Sequence, residues 1–194
     1  MAEWRLFPEG TVPECATAEW YAGRENAPHL EEELHRPRLV ASATHVARVA
    51  FSRGLSTVVD LGAGDGGLLS LLGPNLRGWG YDLAPANVDA AKLRGVDVRL
   101  ADVVEDPVQW GDIAVATEML EHLADPHAFV RHIGRNASVL VCSSPWNERP
   151  GSAYEFHTWA WDFDGYRALV EQGGFQVLQQ EAVGPFQVIL AVRS

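Results

Sequence analysis

The chain has 194 residues, 47% of them hydrophobic, and its 26 acidic against 15 basic side chains leave a net charge of −11. These values describe one globular domain and exclude bulk nucleic-acid binding driven by counterion release, because the densest basic grouping, Arg36, Arg38, Arg48 and Arg53, reads as the solvated face of a helix. Two distant cysteines, Cys15 and Cys142, exclude a disulfide scaffold and a C-x-x-C site; no run approaches the ~20 apolar residues of a membrane span, and the first residues lack the regions of a signal peptide, so a cytoplasmic protein is expected.

Residues 1–27, with turn signals at Pro8-Glu9-Gly10 and Val12-Pro13, read as an irregular arm with at most one short helix. Apolar residues at helical spacing, among them Leu30, Leu34, Leu39, Val46 and Ala50, predict one helix over 28–51, or two meeting near Pro37, ending toward Gly54. Beyond Gly54 short apolar runs at 57–61, 78–83, 96–101, 112–117 and 138–142 alternate with helical segments at 66–73, 85–94, 119–134 and 162–173. That alternation is the signature of a parallel α/β sheet covered on both faces. Two final strand-like runs, 175–182 and 188–192, meet through Gly184-Pro185 without a helix and predict an antiparallel pair at the sheet edge. The expected organisation is an arm and helical lid over 1–54 and a core over 55–194, in one globular unit.

The sharpest local feature is Asp60-Leu61-Gly62-Ala63-Gly64-Asp65-Gly66-Gly67, a strand running through a glycine turn into a helix. Glycines allow a tight turn and close approach of a ligand, and the acid at the end of the next strand, Asp82, is placed to accept from two ribose hydroxyls. Gly62-x-Gly64-x-x-Gly67 also fits the dinucleotide fingerprint. Asp60 and Asp65 weigh against that reading, since carboxylates sit poorly beside a pyrophosphate, whereas Asp60 suits a cationic ammonium group. Asp102-Val103, after the third strand, offers an acid for an adenine amino group and an apolar flank for its ring.

This ordered set, with Glu118-Met119-Leu120-Glu121-His122-Leu123 after the fourth strand, resembles the class I S-adenosylmethionine-dependent methyltransferases, in particular the branch of ubiquinone-biosynthesis O-methyltransferases and small natural-product enzymes. The likeness covers roughly 55–194. It implies a doubly wound, Rossmann-like α/β sheet of seven strands, mostly parallel with the last reversed, in the order 3-2-1-4-5-7-6. It also implies S-adenosylmethionine as cofactor, with Asp60, Gly62, Ala63 and Gly64 flanking its methionine end, Asp82 and Leu83 at the ribose, Asp102 and Val103 at the adenine, and Glu118 near the sulfonium.

If a helix begins near 118, Glu118, Glu121 and His122 share one face. With His157 they are candidate ligands for a divalent metal, which is left open and not favoured; His122 and Glu118 are alternatively catalytic, His122 as a base. Seven aromatics follow the fifth strand, and Trp146, Tyr154 and Trp159, with His157, are the candidates for an acceptor wall, while Trp161, Phe163 and Tyr166 equally suit helix docking. The expected activity is methyl transfer to an O or N atom of a small molecule. The rivals are a metal-assisted RNA 2′-O-methyltransferase-like enzyme and a non-catalytic interaction protein of the same fold; an NAD-dependent oxidoreductase is disfavoured. Neither a bulk nucleic-acid nor a membrane partner is expected, and the oligomeric state is open.

Overall fold

The computed structural model describes residues 2–8 and 17–194. Its first half runs β1 (Glu3–Arg5), α1 (Ala18–Ala22), α2 (Arg36–Arg53), β2 (Thr57–Leu61), α3 (Gly67–Ser70), β3 (Arg77–Asp82), α4 (Pro85–Arg94) and β4 (Val98–Leu100). The second half runs β5 (Ile113–Thr117), a 3-10 turn (Leu120–His122), α5 (Pro126–Asn136), β6 (Val139–Pro145), β7 (Trp159–Trp161), α6 (Phe163–Gln172), β8 (Phe175–Val183) and β9 (Phe186–Arg193). The main sheet has seven strands in the order β4-β3-β2-β5-β6-β9-β8. Its first five strands are parallel, and β9 is antiparallel to both its neighbours. Counted along the chain within this sheet, the order is 3-2-1-4-5-7-6, as the resemblance implies.

Side chains that alternate along each strand divide between two buried layers, which is why the central strands read as continuous apolar runs. Val58, Ile113, Val139, Val141, Leu190 and Val192 meet Leu39, Val46, Val49 and Ala50 of α2 on one face. Their neighbours Val59, Ala114, Leu140, Cys142, Ile189 and Ala191 meet Phe129, Val130 and Ile133 of α5 and Tyr166, Leu169 and Val170 of α6 on the other. The free thiol of Cys142 is buried in that second layer as a small apolar group, whereas Cys15 lies outside the described residues.

Local chemistry sets most helix ends. Pro37 and Pro85 occupy the first turns of α2 and α4, and Gly54 and Gly95 close them in the left-handed region, at φ 66° and 79°. The helix expected over 119–134 is interrupted: Asp125 caps the Ala128 amide at 2.8 Å, Pro126 opens α5, and the residues before them form only the 3-10 turn. The arm also departs from expectation. Its helix, α1, is present, but Glu3–Arg5 is a strand paired antiparallel with β7, anchored where the Trp161 indole donates to Glu3 at 2.7 Å. The pairing partner lies over 150 residues away in the chain, beyond the reach of local turn signals. Residues 9–16, which carry most of those signals, lie outside the described residues.

At the amino edge of the sheet one carboxylate joins β2 to β5. Asp112 Oδ2 accepts from the Ser56 and Thr57 amides at 3.2 and 3.1 Å and from the Thr57 hydroxyl at 2.6 Å, and this bonding holds the Asp112 carboxyl below its ordinary pKa. Such a group stabilises the fold above its unfolded pKa, and the contribution is lost as pH falls through the folded value. Asp112→Ala is therefore expected to lower the unfolding free energy by about 1–2 kcal/mol at neutral pH, after allowance for solvent screening, with the difference closing below roughly pH 4 in urea titrations.

Candidate functional site

The chain leaves β2 toward β3 on one side and returns to β5 on the other, so the carboxyl ends of β2 and β5 flank a topological switch point. A cavity of about 790 Å³ opens there. Gly62 and Gly64 have φ of 79° and 56°, and the Gly62 and Ala63 amides both donate to the Tyr81 carbonyl at 2.9 Å, folding the loop back onto β3. A Cβ on Gly62 would stand 2.9 Å from Met119 Cγ, so both conformation and space require glycine there.

Asp82, the last residue of β3, orders this loop. Its Oδ2 accepts from the Gly64 amide at 2.8 Å, and its Oδ1 accepts from the Ala84 amide and the Asn87 side chain at 2.9 and 3.0 Å. Burial raises its pKa, and these hydrogen bonds act against the rise. Leu83, Asp102 and Val103 line the same cavity, with Asp102 Oδ1 held by the Val104 amide at 2.9 Å. Asp60 is only 1% exposed and its Oδ1 has no hydrogen-bond partner among the described residues; burial and the nearby Asp82 push its pKa up to about 7. Asp65 plays another part than expected, for its carboxylate caps the Gly67 amide and pairs with Arg94, which neutralises it.

Glu118 follows β5 with φ 53°, the one non-glycine residue in the left-handed region among the described residues. A helix cannot begin there, which corrects the expected one-face arrangement of Glu118, Glu121 and His122. The strained conformation, of order 1 kcal/mol, is held by its amide donating to the Ser143 carbonyl at 3.1 Å and by the Ser143 hydroxyl donating to its carboxylate at 2.7 Å. Glu121 is fully buried, neither of its carboxylate oxygens has a hydrogen-bond partner among the described residues, and burial with the adjacent Glu118 drives its pKa well up.

Glu121, His122 and His157 each bring one ligand atom to within 4.8 Å of the others. His122 Nδ1 lies 3.1 Å from the Phe156 carbonyl, which fixes the proton on that nitrogen and leaves Nε2 with a lone pair. Its burial pushes its pKa down to about 3, so the ring serves better as a neutral lone-pair donor than as a base. His157 Nδ1 is 2.6 Å from Glu148, an oriented carboxylate–imidazole pair of the kind that backs metal-bound histidines. Two backed imidazoles and an unpartnered buried carboxylate fit a divalent cation, and Glu118, committed to Ser143, lies outside the trio.

The segment before β2 supplies the rest of the wall. Arg38, read from sequence as solvated, is 1% exposed: it turns inward from α2 to the cavity, and its Nη1 has no hydrogen-bond partner among the described residues. Trp20 and Tyr21 of α1, with Arg24, His29 and His35, also line the cavity. Of the expected acceptor wall, Tyr154 and His157 are there. Trp146 instead donates to the Gly184 carbonyl at 3.0 Å, and Trp159 stacks on Trp161 in the β1–β7 ribbon, so both lie outside the cavity lining. Trp161 and Tyr166 are fully buried and dock α6, as their spacing allowed.

The sheet order, the reversed β9 and the glycine loop at the switch point define a Rossmann-like fold of the methyltransferase type. A family model for the methyltransferase domain matches residues 30–182, and the chain belongs to that family. Solved structures give the same fold. Magnesium protoporphyrin IX methyltransferase from Synechocystis PCC 6803 with bound SAH superposes with a TM-score of 0.67 at 17% identity, covering 91% of this chain and 92% of that one. The N-terminal domain of EvdMO1, crystallised in the presence of SAH and D-fucose, gives 0.61 at 18% identity over 91% and 93% of the two chains. The mitomycin 7-O-methyltransferase MmcR gives 0.60 at 22%, over 79% of this chain and 54% of its own. No curated protein matches in sequence.

The raised pKa of Asp60 carries a stability signature. A folded pKa above the unfolded value stabilises fully below the unfolded pKa and is lost as pH rises through the folded one. For Asp60 that window runs from about 4 to about 7. Asp60→Asn is expected to gain about 2–4 kcal/mol on the parent across this window, read from urea unfolding of ligand-free protein at stepped pH.

Proposed function

We propose that this protein is an S-adenosylmethionine-dependent methyltransferase that acts on an O or N atom of a small-molecule acceptor. The observation that carries the reading is the pairing, in one cavity, of a buried acid and a buried guanidinium that both keep an unused polar atom, Asp60 Oδ1 and Arg38 Nη1. An amino-acid zwitterion satisfies both, its ammonium at Asp60 and its carboxylate at Arg38. A pyrophosphate would leave Asp60 unsatisfied and opposed by like charge. Asp82 and Leu83 are then the ribose site, Asp102 and Val103 the adenine site, and Gly62, Ala63 and Gly64 the backbone against the methionine end.

The cofactor supplies an electrophilic methyl group on a sulfonium. The chain's own contribution is alignment and dehydration of the acceptor, because the positive charge is lost as the methyl group leaves. Trp20, Tyr21, Tyr154 and Phe186 form a largely aromatic wall suited to a flat or apolar acceptor, and the cavity volume suits a small molecule. Glu118, which lines the cavity and accepts from Ser143, places a carboxyl beside the methionine end of the site; burial raises its pKa, and Arg38 and the Ser143 bond act against the rise.

Calorimetry with S-adenosylhomocysteine is expected to show binding that Asp82→Ala weakens at least tenfold, while NAD binds neither protein. A metabolite extract with methyl-labelled cofactor should yield a labelled small product that this variant fails to make. Tight NAD binding alone would overturn the reading; cofactor binding without turnover across broad extracts would favour an interaction protein, and label confined to RNA the nucleic-acid rival.

A second reading concerns Glu121, His122 and His157, whose backed imidazoles and unpartnered carboxylate support a divalent cation site. A cation there supplies charge that lowers the pKa of an acceptor hydroxyl. Treatment with a chelator is expected to abolish label transfer and Mg²⁺, Mn²⁺ or Zn²⁺ to restore it, with Glu121→Gln unresponsive to metal. Unchanged turnover in chelator removes the site from the reaction.

A further inference from the structure

Arg38 reaches the cavity with its guanidinium held on three sides. Its Nε donates to His35 Nδ1 at 3.3 Å, its Nη2 lies 3.2 Å from His29 Nδ1, and its Cζ sits 5.3 Å over the Phe186 ring. The two imidazoles pack 4.3 Å apart, centroid to centroid, and His35 also packs against Phe186 at 5.2 Å. We infer that His29 and His35 are positioning residues, which hold the Arg38 guanidinium for the carboxylate of the cofactor and so make the cavity select ligands by their amino-acid end. The inference rests on the proposed cofactor and deepens it.

Arginine only donates, so both Nδ1 atoms facing it are lone-pair acceptors and both protons sit on Nε2. For His35 that proton faces Glu32, 3.5 Å away. This tautomer leaves no convergent lone pairs, which removes the grouping of His29, Glu32 and His35 as a metal site. It also keeps the rings uncharged: burial and the neighbouring Arg38 push His29 down to about 3 and His35 to about 4. The choice of imidazole has an electrostatic consequence. A hydrogen-bonded carboxylate brace would occupy the guanidinium's donors and compete with the ligand, whereas two neutral acceptors fix its direction, with Glu118, Glu121 and Asp60 acting on its charge through space. Nη1, buried and without a partner, is the donor left over for that purpose.

The test compares S-adenosylhomocysteine with 5′-methylthioadenosine, which lacks the amino-acid end, by calorimetry on the full chain. His29→Phe and His35→Phe, which keep a ring and remove the acceptor, are expected to weaken S-adenosylhomocysteine about tenfold each and to leave 5′-methylthioadenosine within about twofold. His→Asn at either position, which restores an acceptor near Nδ1, should recover most of the loss, and adding Arg38→Met to a Phe variant should cost little beyond Arg38→Met alone. Should a Phe variant fail to fold, His→Ala at that position takes its place in the same comparison. Equal weakening of both ligands, or no weakening of either, overturns the positioning role. A parent protein that binds neither ligand overturns the cofactor reading instead, before any variant is compared.

Discussion

The charge balance at the carboxyl ends of β2 and β5 constrains everything around it. Asp60, Asp82 and Glu118 line one cavity there, Glu121 is buried beside Glu118, and the most buried guanidinium lining that cavity is Arg38. Buried carboxylates in such an excess stay charged only if cations or donors meet them, and otherwise hold protons at a cost. Asp82 is met by amides and Asn87, and Glu118 by Ser143, but Asp60 Oδ1 and both oxygens of Glu121 have no hydrogen-bond partner among the described residues. Unpaired buried carboxyls therefore call for positive charge or protons at two points, one at the end of β2 and one beside His122 and His157.

One strained backbone position stands at the same place. The left-handed conformations of Gly62, Gly64 and Glu118 surround the cavity, and the last of these is held against its own preference by two bonds to Ser143. The acid-capped turns, by contrast, are ordinary: Asp125 and Asp162 cap helices that pack on the far side of the sheet. Glycines elsewhere, such as Gly54 and Gly95, take the same region as ordinary helix ends, so among the described residues the one strained non-glycine backbone stands at the cavity, at Glu118.

What was legible in the sequence was what local chemistry decides. The strand runs, the closing hairpin, the proline and glycine limits of α2 and α4 and the glycine loop followed from periodicity and turn residues within a few positions. The helix over 119–134 failed because Asp125-Pro126 is a stronger start signal than the apolar spacing before it. Arg38 failed for a different reason. Its neighbours Arg36 and Arg48 are exposed, and only the tertiary placement of His29, His35 and Phe186 gives a buried guanidinium its acceptors and its aromatic cover. Glu148 and the β1–β7 ribbon likewise depend on partners that no local pattern announces.

The sheet order itself acts as a ruler for the ligand. Neighbouring strands lie about 4.8 Å apart, so recognition groups at the ends of successive strands are spaced at roughly that interval across the edge. Asp102 follows β4, Asp82 ends β3, Asp60 sits at the end of β2 and Glu118 follows β5, in the order in which those strands lie side by side. Four acids spread over roughly 15 Å suit an extended molecule laid across the strands and do not suit a compact ion. The polarity along that line is fixed by what accompanies each acid: an apolar flank, Val103, at one end, a nest of backbone amides around Asp82 in the middle, and the Arg38 guanidinium near Asp60. An extended ligand laid across these strands would meet the Val103 flank at the β4 end and the His122–His157 pair toward the β5 end of the cavity.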